Sequence, residues 1–521
     1  MNRETRTGAQ GGNRWRLAFA GIVSVLAAIG TGELAAGLIA GIPSPILAIG
    51  RGIVALQPPG AKDFVASLFG TNDKLALEVV IVAVALTIGA AFGILLSRRR
   101  DLASTIIAGF AAIGFVASLG DPDVSPVFAA GAAGLEAIVG IWVFTRLVQL
   151  AREPATRSSM PDWSRRTLLL QGGAIAVGSV VASVAGRLLL EGQRKPIAAG
   201  GLPQAGNVAT LPNGADLGVP GETPIVMPND RFYRIDTALI TPNVDVASWS
   251  MKVTGMVDHP VTLTYDQLVQ LPIIEQYVTI ACVSNQVGGD LVGNALWRGV
   301  PLRTVLDMAG VQNGATQLVG RSVDGFTVGM PTEWVMDQSR VPMIAVGMNG
   351  EPLPRTHGYP ARLIVPGLYG YVSATKWLAE LQLTTLEAFD AYWIPLGWAK
   401  EAPILTQSRI DLPSNGASLR AGPVTIAGVA WAPDRGVSKV EVLITAESAG
   451  SATPPWQAAR LSTPISKSTW VQWLVDWSAT SGVYTIEVRA TDGTGEVQTA
   501  DHSDPAPDGA RGHHTIKVQV A

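Results

Sequence analysis

"YVTIACVSNQVGGD", residues Tyr277 to Asp290, holds Cys282, the single cysteine of a 521-residue chain. Tyr277 to Val283 alternate apolar and polar positions as a strand does, which delivers the thiol to a strand end. The loop that follows can bend at Gly288 and Gly289. One cysteine excludes an internal disulfide. On this segment alone two readings are open. The thiol is an inert, buried small hydrophobe, or it is a soft ligand or nucleophile that requires a cationic or metallic neighbour.

A second segment, "GEPLPRTHGYPARLIVPGLYGYVSATKW" (Gly350–Trp377), places His357, Arg362 and Lys376 around a strand-like "RLIVP" and a turn with Gly367 and Gly370. Three cationic or protonatable groups beside a backbone that allows close approach suit a phosphate-bearing ligand. A solvated surface is the alternative. Asn349-Gly350 is a hairpin turn pair. The chain has neither a Gly-x-x-x-x-Gly-Lys-[Ser/Thr] loop nor a spaced Cys/His zinc cluster.

The length calls for several domains. Hydrophobic residues make up 48% and charged residues 15%, and the mean hydropathy is +0.29. A net charge of −3 without a long basic block gives nucleic-acid binding little electrostatic support, so no nucleic-acid partner is expected. Apolar runs long enough to cross a bilayer occur at Leu17–Ile42, Leu77–Leu96, Leu102–Leu119, Val127–Leu150 and Leu168–Leu190. Arg3, Arg6, Arg14 and Arg16 precede the first run, and Arg98, Arg99 and Arg100 follow the second. Arg146, Arg152, Arg157, Arg165 and Arg166 lie between the fourth and the fifth. The alternate loops carry only Arg51, Lys62 and Lys74. This asymmetry predicts a multi-pass protein of the cell membrane with a cytoplasmic N-terminus and everything after Leu190 outside.

Gly37-x-x-x-Gly41 and Gly89-x-x-x-Gly93 suit close helix packing. Glu33 and Glu136 lie within spans, where carboxylates are costly; packing or assembly is the favoured role over a proton path. No histidine precedes His259, so the spans cannot hold a bis-histidine haem. Ser164-Arg165-Arg166-Thr167-Leu168-Leu169 resembles a twin-arginine export signal. Ser183-Val184-Ala185 offers a cleavage site, but Leu188–Leu190 continue the apolar run and favour an uncleaved anchor.

The expected organisation is a cytoplasmic tail (1–16) and four transmembrane helices (17–150), followed by a cytoplasmic loop and a fifth helix (151–190). A Gly/Pro/Ala-rich linker comes next (191–224), then an α+β domain (225–402) and a C-terminal domain (403–521). "WSMKVTGMV" and "YVTIACV" read as strands; Tyr265–Gln270 and Leu302–Ala309 read as helices. From Pro403, "VTIAGVAW", "KVEVLIT", "WVQWLVDW", "VYTIEVRAT" and "HTIKVQV" alternate like the strands of an immunoglobulin-like sandwich, without its disulfide.

Taken together, the two central segments resemble the sulfite oxidase family of molybdopterin-dependent oxidoreductases. "CVSN" followed by "LWRGVPLRTVL", and then "MNGEPLPRTHGYPARLIVPGLYG…TKW", look like that family's Cys-x-x-Asn … Trp-x-Gly-x-x-Leu and Asn-Gly-x-x-Leu-Pro-x-x-His-Gly-x-Pro-x-Arg-x-x-x-Pro-Gly … Lys-Trp patterns, in the same order and spacing. The resemblance runs from about Pro228 to the C-terminus and leaves out the four leading spans. It implies a molybdenum-molybdopterin cofactor with Cys282 as its protein thiolate, a soft ligand suited to a sulfur-ligated metal. It gives Asn285, His357, Arg362 and Lys376 to cofactor binding, together with Arg234 in "NDRFYRID", where Ile235-Asp236 stand in place of the usual Asn-His. It also implies a homodimer through the C-terminal domain.

Two departures bear on the substrate. The arginine that sulfite-oxidising members carry five residues after the cysteine is Val287 here, and their active-site tyrosine falls at Trp398, across a gap. Losing one charge-assisted contact costs a small dianion about 1.5–3 kcal/mol. The sequence therefore predicts a membrane-anchored enzyme that transfers an oxygen atom in a two-electron reaction on a small S- or N-oxide, outside the cytoplasm. A separate protein would carry the electrons, since no Cys-x-x-Cys-His is present. Three alternatives are a sulfite oxidase proper, a hydrolase or transferase with Cys282 as nucleophile and His357 as base, and a non-catalytic surface scaffold.

Overall fold

The computed structural model describes residues 4–56, 73–119, 124–152, 163–192, 201–238, 241–449 and 454–521. Arg3, Lys62 and Arg157, and residues 193–200 of the expected linker, lie outside the described residues, as do the side chains of Ser164 and Arg165. Two compact units are present: Met1–Lys195 with Thr237–Ile240, and Pro196–Asp236 with Thr241–Ala521.

The first unit is helical. Five helices are long and apolar enough to cross a membrane: Arg14–Leu38, Lys74–Leu96, Asp101–Ser118, Pro126–Arg152 and Arg166–Gly192. The first run ends four residues earlier than its apolar composition predicts, because the chain turns at Gly41, where φ is +86°. A short apolar helix, Pro45–Leu56, follows that turn and has no counterpart in the sequence reading.

Gly89 and Gly93 do bring backbones together as their spacing predicts. A Cβ on Gly21 would overlap the Gly89 carbonyl, and one on Gly93 that of Leu17. Gly37 meets Gly186 in the same way, whereas Gly41 belongs to the turn and makes no such crossing. Glu33 is fully buried; its Oε1 accepts from Ser44 Oγ at 2.6 Å, and Arg187 Nε lies 3.0 Å from its Oε2. Arg187 also bonds Glu78 at 3.1 Å. The carboxylate thus ties the first helix to two others and to the segment after the turn.

The second unit is β-rich. Its central part holds ten strands: β1 Ser250–Gly255, β2 Val261–Thr264, β3 Ile274–Ala281, β4 Val292–Pro301, β5 Gln317–Ser322, β6 Thr327–Pro331, β7 Met343–Met348, β8 Glu351–Pro352, β9 Arg362–Ile364 and β10 Leu378–Thr384. One sheet runs β2-β1-β10-β5-β6, and only its β1–β10 pair is parallel. The other runs β3-β4-β7-β8, with β9 also on β7. The expected helices are present at Tyr265–Val269 and Leu302–Ala309. A capping box starts the first, Thr264 and Gln267 each bonding the other's backbone. Asn349 and Gly350, at φ +52° and +81°, form the predicted tight turn between β7 and β8.

After Pro403 two sheets pack about one shared core. Gln407–Leu412, Gly422–Trp431, Val471–Ala479 and Arg460–Leu461 form one; Ser418–Leu419, His514–Val520, Gly482–Asp492, Val437–Ala446 and Gln457–Ala458 form the other. The two halves of this unit are not separate bodies. Val429, Trp431 and Trp470, from the C-terminal sheets, belong to the core of the central part, and the Trp470 indole donates to Ile225 O at 2.9 Å.

Candidate active site

Cys282 directly follows β3 and is buried. Its loop closes on itself. Cys282 N donates to Leu291 O at 2.9 Å and Asn285 N to Cys282 O at 3.1 Å, while Asn285 Oδ1 accepts from Leu291 N at 2.8 Å. Asn285 Nδ2 reaches Gln407 Oε1 at 3.4 Å. Both ends of the Asn285 amide therefore brace the loop, and the residue stands beneath the thiol's backbone.

His357 ends a single 3-10 turn, Arg355–His357; Arg362 opens β9; Lys376 precedes β10. They meet because the chain crosses itself at Gly358. That residue has φ +111°, and a Cβ there would lie 3.1 Å from Lys376 Cα and 3.1 Å from Arg362 Cβ. All three side chains are buried. Arg362 Nη1 donates to His357 O at 3.1 Å, and its guanidinium lies 5.0 Å over the Trp297 ring. Its Nε is buried without a hydrogen-bond partner. Burial lowers the Arg362 pKa to about 10, so the group stays cationic. Lys376 Nζ bonds Thr356 O at 3.1 Å and Asp236 Oδ2 at 2.6 Å. Arg234, a third exposed, bonds the same carboxylate at 3.1 Å and Thr241 Oγ1 at 3.1 Å.

His357 bonds the carbonyl of Asn229 through Nε2 at 3.0 Å. Burial first, and then the Arg362 charge, push its pKa down to about 4. At neutral pH the ring is thus uncharged, with the proton on Nε2 where the carbonyl needs it, and Nδ1 is an acceptor. Asn349 supports this arrangement by bonding Asn229 Oδ1 and Met227 O, each at 2.8 Å.

Two tyrosines that the sequence reading did not single out connect the thiol to its surroundings. Burial raises the pKa of Tyr233; Cys282 raises it further while Arg362 pulls it back. Tyr369 is raised by burial and by Cys282 as well. The glycine turn lies against the strand end, since a Cβ on Gly370 would sit 3.6 Å from Ala281 O. Trp398 is buried and packs 5.6 Å from Tyr371, whose hydroxyl donates to Ala399 O at 2.6 Å. Tyr369 lies within the quoted glycine block; Tyr233 had only its neighbour Arg234 to draw notice.

The donor set fits an anionic, metal-bearing cofactor. Among the described residues no group of three or more His, Cys, Asp or Glu could hold a metal ion. One soft thiol, a row of buried cations and a buried guanidinium N–H without a partner together match a metal whose other ligands arrive on a phosphorylated organic group.

Residues 238–393 match the oxidoreductase molybdopterin binding domain family. The chain thus carries a molybdopterin-binding oxidoreductase domain, and the cofactor that such a domain binds is the molybdenum-molybdopterin group. The nitrate reductase [NADH] of Hordeum vulgare is 33% identical over 177 residues, 29% of this chain and 19% of that protein. The nitrate reductase [NADH] of Spinacia oleracea is 34% identical with the same coverage. The chain spans about a fifth of the length of these curated relatives. A solved structure, the sulfane dehydrogenase SoxCD from Paracoccus pantotrophus, is similar over 63% of this chain and 94% of that one, at 22% identity and a TM-score of 0.49.

Proposed function

We propose that the chain is a membrane-anchored oxidoreductase that transfers an oxygen atom in a two-electron reaction outside the cytoplasm, on a small S- or N-oxide. One observation carries the reading: the buried thiol directly follows β3 of the sheet whose β9 opens with the buried, cationic Arg362, which Gly358 brings against Lys376. When bound, the molybdenum-pterin group supplies the two-electron redox step.

The chain's own residues do the rest. Cys282 is the protein ligand to the metal. Arg362 and Lys376 hold the phosphate by charge, with Arg234 at the exposed edge. His357, neutral, contributes hydrogen bonds rather than charge, and Asn285 sets the height of the thiol. Val287, five residues after Cys282, adds no cation there, which favours an uncharged oxide over a dianion.

Placement outside the cytoplasm rests on the arginine asymmetry between loops and on Ser164-Arg165-Arg166. The five apolar helices then span the membrane as a bundle, embedded in lipid, with the N-terminus cytoplasmic. The C-terminal sheets, 403–521, serve as an immunoglobulin-like dimerisation domain, and a separate protein exchanges electrons with the metal.

The test is the full-length chain in detergent, assayed for molybdenum and pterin and screened against sulfoxides, N-oxides, sulfite and nitrate. Nitrate is included because the curated relatives are nitrate reductases. Turnover of sulfoxides or N-oxides supports the reading. Turnover of sulfite or nitrate alone defeats the argument from Val287, and a chain devoid of molybdenum and pterin defeats the whole. For topology, Arg165→Lys with Arg166→Lys should leave the catalytic domain protected from external protease in spheroplasts, whereas the unaltered chain is cleaved.

A further inference from the structure

The loop that carries Cys282 is closed by its own turn bonds and is also contacted by residues far along the chain. Gln286 and Asp290 are exposed, and Gly288 and Gly289 give the backbone wide freedom. The long-range contacts come from the C-terminal sheets. Gln407 accepts from Asn285 Nδ2 at 3.4 Å and donates to Ala510 O at 2.7 Å. Arg409 donates through Nη1 to Gly289 O at 2.8 Å, and its other nitrogens bond Asp411 Oδ1 at 2.7 Å and Thr223 Oγ1 at 2.8 Å. His514 fills the space beside Gly288 so closely that a Cβ there would overlap the imidazole, and its Nδ1 accepts from Ile410 N at 3.0 Å. Behind the loop, Thr279 in β3 bonds Ser468 O at 2.9 Å and Trp470 N at 2.8 Å.

We infer that Gln407, Arg409 and His514 form a latch by which the C-terminal domain positions the Cys282 sulfur. These are positioning residues; none is placed against the reacting atoms. The inference rests on the reading of Cys282 as the metal ligand and deepens it, since a protein ligand is useful only where its supporting shell fixes it. A short loop with two glycines samples many conformations, and a guanidinium anchored at three points on Asp411, Thr223 and Gly289 selects one of them at little entropic cost. The C-terminal half is on this account part of the metal site and not merely an appended module.

Because the chain has one cysteine, alkylation reports on a single sulfur. In full-length chain produced without the cofactor, Arg409→Gln should raise the rate of Cys282 alkylation by iodoacetamide about tenfold, equivalent to about 1.4 kcal/mol. Faster amide hydrogen exchange over residues 283–291 should accompany it. Arg409→Lys should recover part of the protection, and the milder Gln407→Leu should show the same trend should Arg409→Gln fail to fold. In cofactor-loaded enzyme, Arg409→Gln should shift the electron paramagnetic resonance g-values of the one-electron-reduced metal while Arg409→Lys shifts them less.

Unchanged alkylation and exchange in both Arg409→Gln and Gln407→Leu would overturn the latch, as would loosening spread evenly over the domain. These readouts do not need the cofactor. A failure of the latch is therefore distinct from a failure of the cofactor assignment, which metal and pterin analysis decides.

Discussion

Asp236 Oδ2 stands 2.6 Å from Lys376 Nζ and 3.1 Å from Arg234 Nε, so one carboxylate, 4% exposed, offsets two of the cations assigned to the cofactor. It occupies a position where the family resemblance leads one to expect a histidine. The consequence is that Lys376 and Arg234 are already ordered and partly neutralised by Asp236. Removing either partner leaves the other charge buried. Asp236→Asn should destabilise the cofactor-free chain by about 3 kcal/mol in chemical denaturation, while Lys376→Ala should cut retained pterin about tenfold or more. The opposite ranking of the two variants on pterin content would assign Lys376 to structure alone.

Cys282→Ser changes one buried atom and no backbone bond, so folding should survive, as near-ultraviolet circular dichroism would report. Loss of the ligand itself should exceed the roughly 10–100-fold loss typical of outer-shell changes. Molybdenum content and turnover should both fall beyond that range.

His357 carries a pH signature. Its pKa falls from an ordinary 6.5 to about 4 in the folded chain, so between those values the unfolded chain binds the extra proton. The stability due to the neutral ring is complete above pH 6.5 and is lost as pH falls toward 4. At about 1.4 kcal/mol per pH unit, the loss is of the order of 3 kcal/mol. Denaturation midpoints from pH 7 to 4 should decline less steeply in His357→Gln than in the unaltered chain.

Glu222 has the opposite sign. It is 8% exposed, its carboxyl oxygens find no hydrogen-bond partner, and burial followed by the charges of Asp411 and Asp216 raises its pKa to about 8. Its native protonated form favours folding fully below 4.5, and that contribution disappears as pH rises through 8. Glu222→Gln should therefore stabilise the chain at pH 8 by about 1–3 kcal/mol and change little at pH 4.

In the helical unit, Gly93→Leu would drive a side chain into the backbone at Leu17. Small residues at such crossings are what let helices approach in lipid. The variant should reduce the amount of assembled chain recovered from membranes, while Gly114→Leu, at a position with open space around it, should not.

Much of this was legible in the residues. Apolar runs marked all five long helices, because a long uninterrupted apolar stretch is a local property of composition. Alternation marked the strands after Pro403 for the same local reason. The segments around Cys282 and His357–Lys376 pointed to the cofactor class, since a soft thiol and clustered cations are legible as residue types. The short helix Pro45–Leu56 and the early end of the first helix were not legible, as a turn at Gly41 interrupts a run whose hydrophobicity does not change.

By itself, the sequence determined which side chains could do chemistry: one thiol, a histidine, an arginine and a lysine, set in strand-end and turn contexts. Only the tertiary structure decided that Asp236 lies on Lys376, that Gly358 packs against Arg362 and Lys376, and that Gln407, Arg409 and His514 contact the cysteine loop. These partners are as many as 232 residues apart in the chain, taking Cys282 to His514. No local propensity encodes such pairings; they arise when buried sheets bring charges together that must then find partners out of water.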